Sequence, residues 1–143
     1  MKITIKKVAA LGFTGYATLL TYWMIWGFGR TPQSDYMYNI IPFSTISYFI
    51  QMDSLSGVQI INLVGNVGVF VPFGMLIPLT LGRVGRGLTK SWFLFLCGIF
   101  ILETAQLLTR RGSFDIDDFI LNSLGFLIGY AVFKVIHYWA GFR

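Results

Sequence analysis

Four apolar stretches decide what this chain can become: about Val8 to Phe28, Val58 to Leu81, Ser91 to Leu108 and Phe119 to Ala140. Each suffices to carry a helix through about 30 Å of hydrocarbon. Lipid admits only helices or closed barrels, because every backbone polar group must be paired internally. The residues are 55% hydrophobic, 17% aromatic and 12% charged, against about 25% charged in soluble proteins. The expected fold is therefore an all-α membrane protein, with residues 1–143 forming a single domain: a four-helix transmembrane bundle with a short interfacial helix in the first outer loop.

The basic start MKITIKK resembles the front of a signal peptide, but the apolar run is longer than a signal core and no small-residue cleavage site follows. It reads as a retained anchor. With the N-terminus inside, that side carries Lys2, Lys6, Lys7, Arg83, Arg86, Lys90, Lys134 and Arg143 and no acid. The outer side carries Arg30, Arg110 and Arg111 with all the acids: Asp35, Asp53, Glu103, Asp115, Asp117 and Asp118. This bias places both termini in the cytoplasm. Trp26 at the outer boundary and Trp92 and Trp139 at the inner one suit aromatic belts. The net charge of +5 is thereby a topology signal, and no nucleic-acid partner is expected.

Between the last two spans lies ETAQLLTRRGSFDIDDFILNSLGFLIG, residues 103–129, where the chain's polar chemistry is concentrated. Ionisable groups at a span edge suggest function, because in hydrocarbon they need a partner, an interface or a wet cavity. Glu103, Gln106 and Arg110 share one helix face, with Glu103 about 9 Å below the last turn at 1.5 Å per residue. Arg110 or Arg111 can pair with Glu103 as a structural ion pair, or Glu103 can hold a proton. Asp115, Asp117 and Asp118 sit at a helix N-terminus, where the dipole favours negative charge; capping alone needs one acid. Asp118, Asn122, Gly125 and Gly129 then follow at spacings of 4, 3 and 4, one face that ends in a GxxxG packing element. Asn62 and Asn66, four apart, form a second amide face, readable as interhelical glue or as pocket lining. The DIDD run can in principle hold a divalent ion, but adjacent guanidinium groups suit neutralisation better, so neither a metal nor a cofactor is expected.

In the first outer loop, Ser44 after Pro42 and Phe43 is positioned to cap a short helix in the headgroup plane, and Asn39 to form a turn. This segment reads either as a plug on the bundle or as a lid over a site. Pro72 and Pro78 are expected to kink the second span. The single cysteine, Cys97, excludes an intramolecular disulfide, and His137, the only histidine, lies at the opposite end from the acids.

NIIPF at 39–43, NLVGNVGVFVPFG at 62–74, Glu103 with Gln106, and R.GSFDIDD.ILN..G...G from Arg110 to Gly129 resemble the successive motifs of the VanZ family, over about residues 39–134. The matching positions are Asn39, Pro42, Asn62, Asn66, Pro72, Glu103, Gln106, Asp115, Asp118, Asn122 and one of the paired arginines, Arg111 or Arg110. The resemblance implies a bacterial cytoplasmic-membrane protein that lowers susceptibility to teicoplanin and related lipoglycopeptides. Joined to the residue pattern, it suggests an outward-facing polar pocket of Asn62, Asn66, Glu103, Gln106, Arg110, Arg111, Asp115, Asp118 and Asn122. The expected partners are membrane lipids, a cell-wall lipid precursor or the lipoglycopeptide itself. The alternative is a membrane-embedded enzyme acting on a polyprenyl-phosphate or phospholipid headgroup, with Glu103 or Asp118 as acid or base.

Overall fold

The computed structural model describes residues 3–51, 57–82 and 87–139. Lys2, Asp53, Arg83, Arg86, Ala140 and Arg143, used above for topology and boundaries, lie outside the described residues. Among those described, α1 (Ile3–Ile25) is followed by a 3₁₀ turn at Gly27–Gly29, β1 (Met37–Asn39) and α2 (Ser44–Gln51). Then come α3 (Gly57–Gly68), α4 (Val71–Leu81), α5 (Leu88–Thr109), β2 (Ser113–Asp115) and α6 (Ile116–Trp139). Four helical segments are long and apolar enough to cross a membrane: Thr4–Ile25, Ile60–Leu81, Leu88–Thr109 and Ile116–Trp139. The all-α membrane bundle expected from the sequence is the fold observed.

The first span begins before Val8 because Lys6 and Lys7 continue the helix, lysine being a good helix former whose stem lies along apolar surface. It ends before Phe28 at the 3₁₀ turn, whose last residue, Gly29, takes a positive φ of 71°. The second span is two helices. The break precedes Pro72, which occupies the first turn of α4, where its missing N–H costs nothing; Pro78 lies within α4. At the break Phe73 N–H bonds back three residues to Phe70 O at 3.2 Å. Val69 O, freed by that shift, accepts Tyr16 OH from α1 at 2.8 Å. The kink is thus satisfied by a neighbouring helix, as lipid requires.

α6 lies against both halves of the second span at backbone distance. A Cβ on Gly125 would strike Val67 O, one on Gly129 would strike Val71 O, and one on Gly74 would strike Phe126 O. The stripe expected from the spacing of Gly125 and Gly129 is therefore the face pressed on α3 and α4. Around it, Leu20, Phe70, Phe73, Ile77, Phe95, Ile99, Phe126, Tyr130 and Phe133 form the core, with Phe95 stacked on Phe126 at 4.7 Å. Val8, Leu11, Phe93, Ile101, Val135 and Ile136 point outward, as side chains facing acyl chains do.

The bundle has two chemically different ends. Near one, Lys6 lies beside Gly82; at the other, the ends of α1 and α5 meet the aspartates of β2 and α6. At this second end β1 and β2 pair in parallel, with Met37 opposite Ser113, Tyr38 opposite Phe114 and Asn39 opposite Asp115. Strands of three residues show no readable alternation, so neither is expected from the sequence.

Candidate functional site

The site is built where β2 turns into α6. Arg110 closes α5 in the left-handed conformation (φ 55°), with Arg110 N–H bonded to Leu107 O at 3.0 Å and Arg111 N–H to Gln106 O at 3.1 Å. This is a Schellman-type stop. It turns the chain sharply, so Ser113–Asp115 lies beside β1 and the next residues start α6 back through the bundle.

The three aspartates then separate. Asp115 Oδ2 accepts Thr45 Oγ1–H at 2.6 Å, while its Oδ1 accepts Asn39 Nδ2 at 3.2 Å and the Asp117 N–H at 2.9 Å. Asp117, fully buried, accepts Phe43 N–H at 2.5 Å on Oδ1 and Ile46 N–H at 3.0 Å on Oδ2. Asp118 Oδ1 takes Asn66 Nδ2 from α3 at 2.7 Å. One acid thus ties the β1 segment, one caps α2 from across the fold, and one reaches the second span.

This corrects the cap expected for α2. Ser44 Oγ donates to Ile41 O at 2.9 Å and accepts Asn39 Nδ2 at 2.6 Å, so the free N–H groups at the start of α2 are met by Asp117. A carboxylate is the stronger acceptor there, and its charge suits the helix dipole. Asn39 does form its turn, accepting Ile41 N–H at 3.1 Å. Phe43 has a positive φ of 64°, a conformation costing roughly 1–2 kcal/mol for an L-residue, and the bond to Asp117 holds it there.

Beneath this roof Glu103 is 1% exposed. The Asp115 N–H is directed at its carboxylate, and its Oε2 is buried without a partner. The arginines differ from expectation. Arg110 donates to Ser34 O at 3.1 Å and lies over the Tyr36 ring, 5.8 Å from its centre. Arg111 donates to Arg30 O at 3.1 Å, and Arg30 returns a bond to Arg111 O at 3.1 Å. Held at the rim by backbone carbonyls, these two clip the segment after α1 to the end of α5. The guanidinium whose charge reaches both Glu103 and Asp118 is that of Arg30.

Gln106, also buried, donates to Met24 O at 2.9 Å, which ties it to α1. Asn122 is 2% exposed, and its Oδ1 lacks a partner. Asn62 stands one turn from Asn66 and is exposed. The structure therefore brings Glu103, Asp115 and Asn122, all buried, into one layer with the half-buried Asn66 and Asp118. Gln106, Arg110 and Arg111 serve its walls, and Asn62 stands outside it. Reading from sequence missed Asp117, Thr45 and Arg30 as members. The surplus of aspartates over what one cap needs was the available signal for Asp117; nothing local singled out Thr45 or Arg30.

Comparison with curated proteins and with solved structures returns no match. A family model, VanZ/LLP1, matches residues 8–137, a range that contains every residue of the site and most of the chain. The chain belongs to the VanZ/LLP1 family.

Proposed function

We propose that this is a bacterial cytoplasmic-membrane protein with both termini inside, whose aspartate-rich outer end binds the polar head of an amphipathic molecule and so lowers susceptibility to teicoplanin and other lipoglycopeptides. The observation that carries this reading is the two-sided loop over the site. Its inner side is polar, with Asn39 and Thr45 bonded to Asp115. Its outer side exposes Tyr36, Tyr38, Ile40, Ile41, Phe43 and Tyr48. Such a loop can rest in the headgroup region with α2 lying along the interface, beside a layer of amides, acids and guanidinium groups at the depth where a lipid's head meets its tail. A cell-wall lipid precursor or the drug's own polar core has that amphipathic form. Binding either one hides the target or lowers the drug's free concentration at the membrane.

The test is to express Asp118→Asn in a susceptible host and compare lipoglycopeptide with non-lipidated glycopeptide susceptibility. At equal membrane abundance, the variant is expected to lose the lipoglycopeptide-selective protection. Full protection by a well-expressed variant would refute the proposal.

A second reading, an enzyme acting on a polyprenyl-phosphate or phospholipid headgroup, is favoured by the unpartnered Glu103 Oε2, an acceptor available to take a proton. Incubation of the purified protein with labelled lipid precursors, with and without magnesium, distinguishes it. Glu103-dependent product supports the enzyme; intact lipid after many hours argues for binding alone.

A further inference from the structure

Below the aspartates, two acceptor atoms have nothing to accept from. Glu103 Oε2 and Asn122 Oδ1 are buried without partners, on residues 1% and 2% exposed. They belong to facing helices of opposite direction, and the Phe95–Phe126 stack at 4.7 Å sets the register. Asn122 is one turn above Phe126 on α6. Glu103 is about two turns above Phe95 on α5, close enough for the charge of Asp118, one turn above Asn122, to act on it. By this register the two residues flank one interval between α5 and α6, with the phenylalanine pair below it and Asp118 level with Glu103.

The charges around that interval do not balance. Both oxygens of Asp115 and of Asp117 have donors within the roof. Arg110 and Arg111 are bonded to the carbonyls of Ser34 and Arg30. Arg30, itself bonded to Arg111 O, is the guanidinium acting on the Glu103–Asp118 pair. A carboxylate oxygen and an amide oxygen, both dry and both lacking a donor, are costly unless a proton on Glu103 or a bound cation lies between them, and only the second responds to the cation supplied.

We propose that one monovalent cation, an alkali ion or a primary ammonium group, binds between α5 and α6 with Glu103 Oε2, Asn122 Oδ1 and a carboxylate oxygen of Asp118 as its ligands. Among the described residues no group of three or more His, Cys, Asp or Glu is arranged to hold a metal, so the negative charge at hand suits one positive charge better than two. Two carboxylates and one amide, with the Arg30 guanidinium acting weakly on both acids, suit a single added positive charge. This site shares Glu103, Asp118 and Asn122 with the layer of the headgroup reading and deepens it, but does not require it, because a cation can occupy the interval with no lipid or drug bound above.

The test uses the full chain in phosphatidylcholine nanodiscs, whose lipid carries no primary amine. Unfolding is followed by tryptophan fluorescence in sodium, potassium or ethylammonium chloride, against tetraethylammonium chloride at equal ionic strength, whose cation is too large to enter. At least one small cation is expected to raise the melting temperature saturably, by about 3 °C or more. Glu103→Gln, which keeps the shape and removes the charge, and Asn122→Ala should each abolish the rise. A rise with sodium or potassium identifies an inorganic ion; a rise with ethylammonium alone identifies the ammonium of a headgroup. The proposal is overturned if no small cation exceeds tetraethylammonium, or if the rise persists in Glu103→Gln. Should that variant fail to fold, persistence in Asn122→Ala has the same force. Loss of drug protection does not enter these readouts, so this idea and the headgroup reading fail separately.

Discussion

Replacing Asp117 by Asn tests the roof most directly. Its two oxygens receive Phe43 N–H at 2.5 Å and Ile46 N–H at 3.0 Å, and the side chain is 0% exposed. Asparagine retains one acceptor but sets an NH₂ group against the second N–H. The substitution removes a charge-assisted bond worth about 1.5–3 kcal/mol and leaves a buried donor unsatisfied at about 1–3 kcal/mol. Because relaxation and water recover part of this, a net cost of about 2–4 kcal/mol falls on the attachment of α2. Hydrogen exchange followed by mass spectrometry in nanodiscs reads that cost locally, since protection reports the free energy of each opening. Amides of the 43–46 segment are expected to exchange roughly 30- to 700-fold faster, at about 1.4 kcal/mol per factor of ten, while α4 and the C-terminal half of α6 are unchanged. Asp118→Asn is the control, because Asp118 bonds Asn66 on α3; it should leave the α2 amides protected. Wild-type protection of the 43–46 segment in Asp117→Asn, or equal deprotection by Asp118→Asn, would refute the assignment of Asp117 as the cap.

Two further substitutions probe the frame beneath. Gly129→Ala places a methyl group against Val71 O and within 3.1 Å of Gly74 Cα, so α6 and α4 must separate, at a cost of about 1–3 kcal/mol or more. Gly15→Ala, where nothing lies within 4 Å, should be neutral in the same SDS-unfolding assay, and equal behaviour of the pair would disprove the close contact. Tyr16→Phe strips the hydroxyl that satisfies Val69 O at 2.8 Å; a loss of about 1 kcal/mol is expected, and an unchanged unfolding curve would mean that the freed carbonyl finds another donor.

How much of this was legible in the chain follows from the range of each interaction. The spans could be read because hydrophobicity over about 20 residues reflects the solvent and not a partner. The Asp118–Asn122–Gly125–Gly129 face could be read because helical spacing alone defines it. What could not be read were contacts across the fold. Asp117 and Phe43 N–H are 74 residues apart, and Arg30 and Arg111 are 81 apart. The rule that buried arginines pair with acids pointed to Arg110 and Arg111, but the Schellman stop turns their side chains to the rim, where backbone carbonyls take them. Arg30 carries no local signal for its place, since it enters only when the end of α1 is clipped beside α5. Likewise Asn62 and Asn66 are equivalent by spacing, and only the docking of α6 on α3 distinguishes the amide that meets Asp118 from the exposed one.

The same geometry explains why three acids stand so close together where one cap would suffice. Asp115 ends a strand while Asp117 and Asp118 begin a helix, so the change of backbone period sends neighbouring carboxylates in different directions. Asp115 and Asp117 hold the loop above; Asp118 holds the second span beside it. Asp115 also connects the layers within a single residue: its carboxylate takes Asn39 and Thr45, and its N–H is directed at Glu103. A ligand that draws the loop outward must displace Asp115, and displacing Asp115 removes a donor from an acid that already has one unpartnered oxygen. Loop position and the electrostatics of the buried layer are therefore linked through one peptide unit. A molecule that binds at the aspartate-rich end and shifts this loop therefore acts on Glu103 even where it does not touch it.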